Sequence, residues 1–192
     1  MKLFSSFSPS ITNMIRLDHT HVLATFHKYK VHDDPETKRG LVNAACIALE
    51  VHAQLEEEIF YPAMRGGPVD TALVEKSIPE HDEMKRLIAE LRDMEPTDPA
   101  YDQTFMELMR DVMHHVADEE TTLLPDAERL IPERLSELGA QMTKRRLELV
   151  APHAGELATN AARGMPRTTM LLAASAVLAG GYAMRKVMRR HA

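Results

Sequence analysis

Apolar residues recur at helical spacing along most of the chain, and short polar segments with proline or glycine separate them. In the first segment Ile11, Ile15, Val22 and Phe26 are four or seven positions apart, which is the spacing of one helix face. Few stretches alternate apolar and polar residues at period two, so no sheet is predicted. The pattern predicts five helices, over about residues 10–30, 34–61, 77–91, 98–124 and 132–150.

Local signals set the predicted ends of these helices. Asp34 and Asp98 each precede a proline, a pair typical of an N-cap followed by the first helical residue. Ser77 has a glutamate three positions later, the spacing of a capping box, and starts the third helix. Pro62 followed by Gly66-Gly67 predicts the end of the second helix, and Pro125 predicts a bend or an end of the fourth, because proline breaks the hydrogen bonding of a helix interior.

Four long helices with short connections predict an all-α fold, an up-down-up-down four-helix bundle. The fifth helix is an additional C-terminal helix, and a separate apolar tail helix follows it. The predicted domain organisation is therefore a bundle over 1–150, a linker over 151–166 and an apolar and basic tail over 167–192.

Charge divides the chain into an acidic body and a basic tail. The net charge is −6, but residues 163–192 contain six basic and no acidic residues, so residues 1–162 carry −12. An acidic body lacks the general basic surface that binds nucleic acid, so no nucleic-acid partner is predicted. The one cysteine, Cys46, allows no intramolecular disulfide. No secretory signal is recognised at the N-terminus, which favours a cytoplasmic location.

The tail contains an uncharged run, 168–184, with basic residues on both sides. Its length is at the short end of what spans a membrane. Two interpretations stay open: membrane association through 168–184, or a helix docked on the bundle or on another subunit.

One motif is written twice along the chain. "HAQLEEEIFYP" starts at His52 and "HVADEETTLLP" starts at His115, so Glu56 corresponds to Glu119. Each copy reads His-x-x-x-Glu-Glu and ends in proline. His114 adjoins His115 and competes with it, but only His115 reproduces the spacing to glutamate and proline.

Each motif copy also has an acid-His pair upstream on the preceding helix. Asp18-His19 precedes the first copy, and Glu80-His81 precedes the second copy at nearly the same separation. The first and third helices therefore correspond to each other, as do the second and fourth. An approximate twofold axis between the two halves follows.

The repeated residues are suited to binding metal. Residues four apart share one helix face, and in both copies that face also carries apolar residues, so His and Glu point towards the core. A buried carboxylate is costly unless a cation compensates it. Imidazole with carboxylate suits iron, zinc, copper, nickel or manganese. The candidate ligands are His19, His52, Glu56, His81, His115 and Glu119.

The number of donors bears on the number of metals. Six ligands are too many for one tetrahedral zinc and suit two adjacent six-coordinate ions bridged by the carboxylates. Glu57, Glu58 and Glu120 lie on other helix faces and are expected to be solvated.

At these segments the chain resembles the hemerythrin-like family, also called the HHE cation-binding domain. "LDHTHV", "EVHAQLEEEIFYP", "PEHDEMKRLI" and "MHHVADEETTLLP" carry the resemblance, which extends over about residues 10–150. It implies an up-down bundle with two non-haem iron ions per chain, joined by an oxo or hydroxo bridge.

One departure from the oxygen-carrying members bears on function. Those members have a second His four positions after the third-helix His, and here that position is Lys85. A protonated lysine cannot ligate a metal. The chain thus resembles the four-His branch, which implies binding or sensing of dioxygen, peroxide or a related small oxidant. Whether it is an enzyme stays open: the alternatives are turnover of peroxide or nitric oxide, and an iron-storage or structural module.

Overall fold

A computed structural model describes residues 9–66 and 71–164, and within them the protein is an all-α bundle. The four bundle helices are α1 (Ile11–Lys28), α2 (Pro35–Leu55), α4 (Ala72–Asp93) and α5 (Tyr101–Asp118). Contacts join α1 to α2, α2 to α4, α4 to α5 and α5 back to α1, which closes a ring of four. This is the predicted up-down-up-down arrangement.

The N-cap predicted at Asp34 is confirmed, whereas the one predicted at Asp98 is wrong, because α5 begins at Tyr101 after Ala100. An N-cap that was not predicted begins α1. Ser10 Oγ accepts a hydrogen bond from the backbone N–H of Asn13, at 3.3 Å. Asp34 accepts one from the backbone N–H of Thr37, at 3.1 Å. The predicted start of α4 is wrong: the helix begins at Ala72, before Ser77, whose hydroxyl donates to the Leu73 carbonyl at 2.9 Å.

The helical path continues past both prolines, and in the first half it ends at Gly66. A π-helical turn follows α2 at Glu56–Phe60, and another follows α5 at Glu119–Leu123. Two short helices, α3 (Tyr61–Arg65) and α6 (Leu124–Leu130), then continue. Each proline lies in the first turn of the short helix, a position at which an α-helix tolerates proline. Each π turn begins at the first glutamate of the repeated motif.

Two helices pack outside the ring: α7 (Leu135–Val150), the predicted fifth helix, and α8 (Ala154–Arg163). Within the predicted linker, 151–166, the described residues include α8, which packs against α2. The contact is close: a Cβ added to Gly40 would lie 2.7 Å from the Arg163 Cβ. Small residues in both helices let the two backbones approach each other. The spacing of apolar residues does not reveal such a contact, so α8 was not predicted.

Two apolar clusters fill the bundle, one at each end. One includes Ile15, Leu55 and Leu124. The other includes Val22 and Leu108. Along each bundle helix, a candidate histidine lies between the two clusters. The polar residues thus form a layer across the middle of the bundle.

The predicted tail, 167–192 with its uncharged run 168–184, lies outside the described residues, so membrane association stays a prediction. Among residues 9–66 and 71–164, no helix is both long enough and apolar enough to cross a membrane.

Candidate metal centre

The structure brings all six predicted ligands together in the middle layer. Each bundle helix supplies one imidazole, and each π turn supplies one carboxylate. All six are buried, and the most exposed, His52, has 7% of its surface accessible. The competing histidine, His114, is exposed, so the structure favours His115.

The two carboxylates each lie between imidazoles from different helices. Glu56 Oε2 is 3.2 Å from His52 Nε2 and 3.5 Å from His81 Nε2. Glu119 Oε2 is 3.3 Å from His19 Nε2 and 3.6 Å from His115 Nε2.

The possible ligand atoms form two adjacent groups. One comprises His19, His52, Glu56 and Glu119, and the other comprises Glu56, His81 and His115; within each, the atoms lie within 4.8 Å of one another. Glu56 belongs to both groups. A shared carboxylate is what two neighbouring ions would require.

Unsatisfied polar atoms indicate that a cation fits here. Four buried atoms of this layer have no hydrogen-bond partner: His19 Nε2, His52 Nε2, Glu56 Oε1 and Glu119 Oε2. Although His19 Nε2 and Glu119 Oε2 lie 3.3 Å apart, they do not form a hydrogen bond. Leaving such groups unpaired in a protein interior costs about 1–3 kcal/mol each. A metal ion bound by these atoms would remove that cost.

The other ring nitrogen of every histidine faces a carboxylate. His19 Nδ1 is 2.9 Å from Glu120, and His81 Nδ1 is 3.0 Å from Glu57. The prediction that Glu57 and Glu120 are only solvated is therefore wrong. Their repetition at the fifth position after each motif histidine was the signal that could have shown it.

The remaining two histidines use the acids that precede the upstream histidines. His115 Nδ1 is 3.0 Å from Glu80, and His52 Nδ1 is 3.5 Å from Asp18. A carboxylate at Nδ1 fixes the ring orientation and tautomer, so that Nε2 is left unprotonated as a ligand. The acid-His pairs in the sequence thus have a structural reason: each acid orients the next helix's imidazole.

A basic side chain holds each of these four carboxylates. Lys85, at the position of the family's fifth histidine, contacts both oxygens of Glu57 at 2.7 and 2.9 Å. Two guanidinium nitrogens of Arg146 on α7 donate to Asp18. The other two carboxylates pair with Arg16 (Glu120, 3.1 Å) and Lys76 (Glu80, 3.3 Å).

Tyr61 is a site residue that the sequence reasoning missed. Its side chain is fully buried, and its hydroxyl lies 3.0 Å from Glu119, 3.3 Å from Glu56 and 3.3 Å from His81 Nε2. Burial and the two carboxylates raise the pKa of Tyr61 far above its ordinary value. The hydroxyl therefore keeps its proton and donates it to a carboxylate. Its counterpart in the second motif is Leu124, so no repeat marked it.

Charge within the layer shifts the ionisation of its members. Burial opposes ionisation of Glu56, but the surrounding imidazoles, His52 foremost, hold the pKa of that carboxyl well below its usual range. Burial likewise opposes protonation of His115, but Glu56 and Glu80 outweigh it and raise the pKa of His115 to about 10. Without metal, protons bound to imidazole supply the positive charge that compensates the buried carboxylates.

Fold and site together define a helical bundle of the cation-binding class, with ligands on facing helices. The family model of the hemerythrin HHE cation binding domain matches residues 10–127. The chain therefore belongs to the hemerythrin HHE cation-binding domain family, as the motifs predicted.

Two known proteins show how far the similarity extends. A DNA nickase from Nostoc sp. is 33% identical over 116 residues, which is 59% of this chain and 32% of that relative. The chain thus spans about a third of the relative's length. A solved hemerythrin HHE cation binding domain-containing protein from Mycobacterium kansasii has a TM-score of 0.65 at 19% identity, covering 82% of this chain and 95% of that one. At this identity the match shows the fold alone.

Proposed function

We propose that this chain is a non-haem di-iron protein that binds or senses dioxygen or a related small oxidant. The observation that carries the proposal is the pair of adjacent ligand groups joined by Glu56, with unsatisfied imidazole and carboxylate atoms turned inward. Nitrogen and oxygen ligands of this kind suit iron and similar transition metals.

The charge of the layer supports the binding of a cation. The four carboxylates behind the imidazoles are each paired with an arginine or a lysine. Among the described residues, Glu56 and Glu119 are the buried carboxylates without such a partner. One divalent ion would neutralise both, and the two adjacent ligand groups with four imidazoles offer positions for a second.

The number of donors leaves room for a small ligand. Two six-coordinate ions would offer about twelve positions, and four imidazoles with the oxygens of two carboxylates would occupy at most about eight of them. Bound iron would supply one-electron chemistry towards an oxidant. The protein residues hold the imidazoles in one tautomer, exclude water with apolar clusters, and keep a proton on Tyr61.

Lys85 favours reaction over reversible storage. Lys85 donates a hydrogen bond to Glu57, and it lies where the oxygen-carrying members have a fifth histidine. Helix α4 therefore offers one imidazole fewer than in those members. The test is to reduce the iron-loaded protein without air, admit dioxygen, and follow the visible spectrum through repeated evacuation. We expect irreversible oxidation. Intact release of dioxygen over many cycles would contradict the proposal.

Turnover of peroxide is the second candidate, and Tyr61 favours it. A buried hydroxyl that reaches both carboxylates and keeps its proton can donate a hydrogen bond to a peroxide bound beside them. The test is dioxygen evolution from hydrogen peroxide, compared between native protein and Tyr61→Phe. No observation on the described residues favours the nickase activity named for the Nostoc relative, and the acidic body disfavours DNA.

A further inference from the structure

A cavity of about 260 Å³ adjoins the imidazole layer. All four imidazoles line it, whereas the lining does not include Glu56, Glu119 or Tyr61. The layer therefore has two different sides: a polar side with carboxylates and a hydroxyl, and a side that faces the cavity.

The cavity side is built mainly from apolar and small side chains. They lie three or four positions from a histidine on each bundle helix, and the nearest are Val22, Ala48, Met84 and Val112. Ile88 and Val116 extend the apolar lining along α4 and α5. Apolar walls hold water poorly, so such a cavity favours an apolar occupant.

The charged side chains in the lining are already compensated. Asp18 and Arg146 pair with each other, and Lys85 pairs with Glu57. Glu50 pairs with Arg92, at 2.7 Å. The cavity therefore offers no free charge from these residues to recognise an ionic ligand, so the occupant that fits is uncharged.

The volume of the cavity indicates whether it fits a gas molecule or a larger ligand. An apolar cavity of about 150 Å³ is enough to bind benzene. By the same ratio, 260 Å³ accommodates about six to ten carbon atoms, far more than a diatomic gas needs.

We propose that this cavity binds a compact, uncharged, apolar organic molecule of about six to ten carbon atoms against the imidazole side of the layer. The site is additional to the ligand positions on the metals. The proposal does not depend on which oxidant or metal the centre binds.

The test uses benzene with the purified full chain. Binding is measured by the rise in the thermal unfolding midpoint with benzene concentration and by saturation-transfer NMR on the ligand. Two variants fill the cavity from different helices, Ala48→Phe on α2 and Val112→Phe on α5. Ala140→Phe is the matched control, since Ala140 is a partly buried helical alanine outside the lining.

We expect saturable benzene binding to the native chain and to Ala140→Phe, and loss of binding in whichever cavity-filling variants fold. Failure of the native chain to bind benzene by either method would overturn the proposal. Equal binding by the filled variants would also overturn it, because the benzene would then lie elsewhere. Metal content is measured on the same samples, so the absence of iron would contradict the proposed function without affecting this result.

Discussion

The two halves of the bundle use the same plan but differ at single positions. In each half an upstream histidine, a motif histidine and a motif glutamate enter the middle layer, and two further carboxylates orient imidazoles of the layer. To within one position, the same offset along the chain relates all five pairs, from Asp18 and Glu80 to Glu57 and Glu120. The sequence repeat thus encodes the ligands together with the groups behind them.

The two halves differ at residues that lie close to the candidate ligands. Tyr61 places a hydroxyl between the carboxylates, whereas Leu124 at the equivalent position has an apolar side chain. Both residues are fully buried. Asp18 is held by Arg146 from α7, outside the ring, but Glu80 is held by Lys76 from its own helix. The repeated residues thus supply the candidate ligands of both halves, and residues that are not repeated make the two halves unequal.

The largest effect should come from the shared carboxylate. Glu56→Ala removes a member of both ligand groups, so we expect loss of most bound metal and a destabilisation of about 3–5 kcal/mol. Elemental analysis and denaturant unfolding measure the two effects. Glu58→Gln, on the same π turn but paired with Arg145 at the surface, is the matched control and should retain metal. Full metal content in Glu56→Ala would refute the shared-ligand assignment.

The carboxylates behind the imidazoles should matter next. Asp18→Asn and Glu80→Gln each replace the charged acceptor of one imidazole by a neutral amide, so we expect about 10–100-fold weaker metal binding. The Asp18 variant should lose more, because Asp18 has 18% of its side chain exposed against 27% for Glu80. Competition with a chromogenic chelator measures affinity, with Glu90→Gln on the exposed face of α4 as control. Unchanged affinity in both variants would show that the carboxylates are not positioning groups.

Tyr61→Phe should make the halves more alike. The variant removes a hydrogen bond to a carboxylate, so we expect about 1.5–3 kcal/mol of destabilisation and a changed visible spectrum with metal content retained. Tyr29→Phe is a matched control, because Tyr29 is another buried tyrosine that donates to a carboxylate, Asp102, away from the layer. Equal spectra for the native protein and both variants would remove Tyr61 from the site.

The smallest effect concerns protons in the metal-free chain. The pKa of His115 is raised from 6.5 to about 10, so its proton stabilises the metal-free fold below pH 6.5 and that contribution is lost as pH rises through about 10. Metal must displace this proton. We expect proton release on metal binding near pH 7, and tighter binding as pH rises. Anaerobic calorimetry in buffers of different ionisation enthalpy counts the protons, and zero release would contradict the assignment.

The sequence predicted the bundle and the six clustered residues because spacing alone determines which residues share a helix face. It could not predict α8, whose packing depends on Gly40 and on small side chains rather than on an apolar stripe. The positions of Glu57 and Glu120 were predicted wrongly, because the angle per residue of a regular α-helix does not hold where a π turn begins. Tyr61 was invisible to a search for repeats because it occurs in one half only.

The metal content of the purified full chain, determined together with its visible spectrum after exposure to air, decides whether the layer holds two irons. Two adjacent ligand groups that share Glu56 predict two irons per chain and an absorption band that changes on reduction. One zinc per chain, or no transition metal at all, would contradict the account.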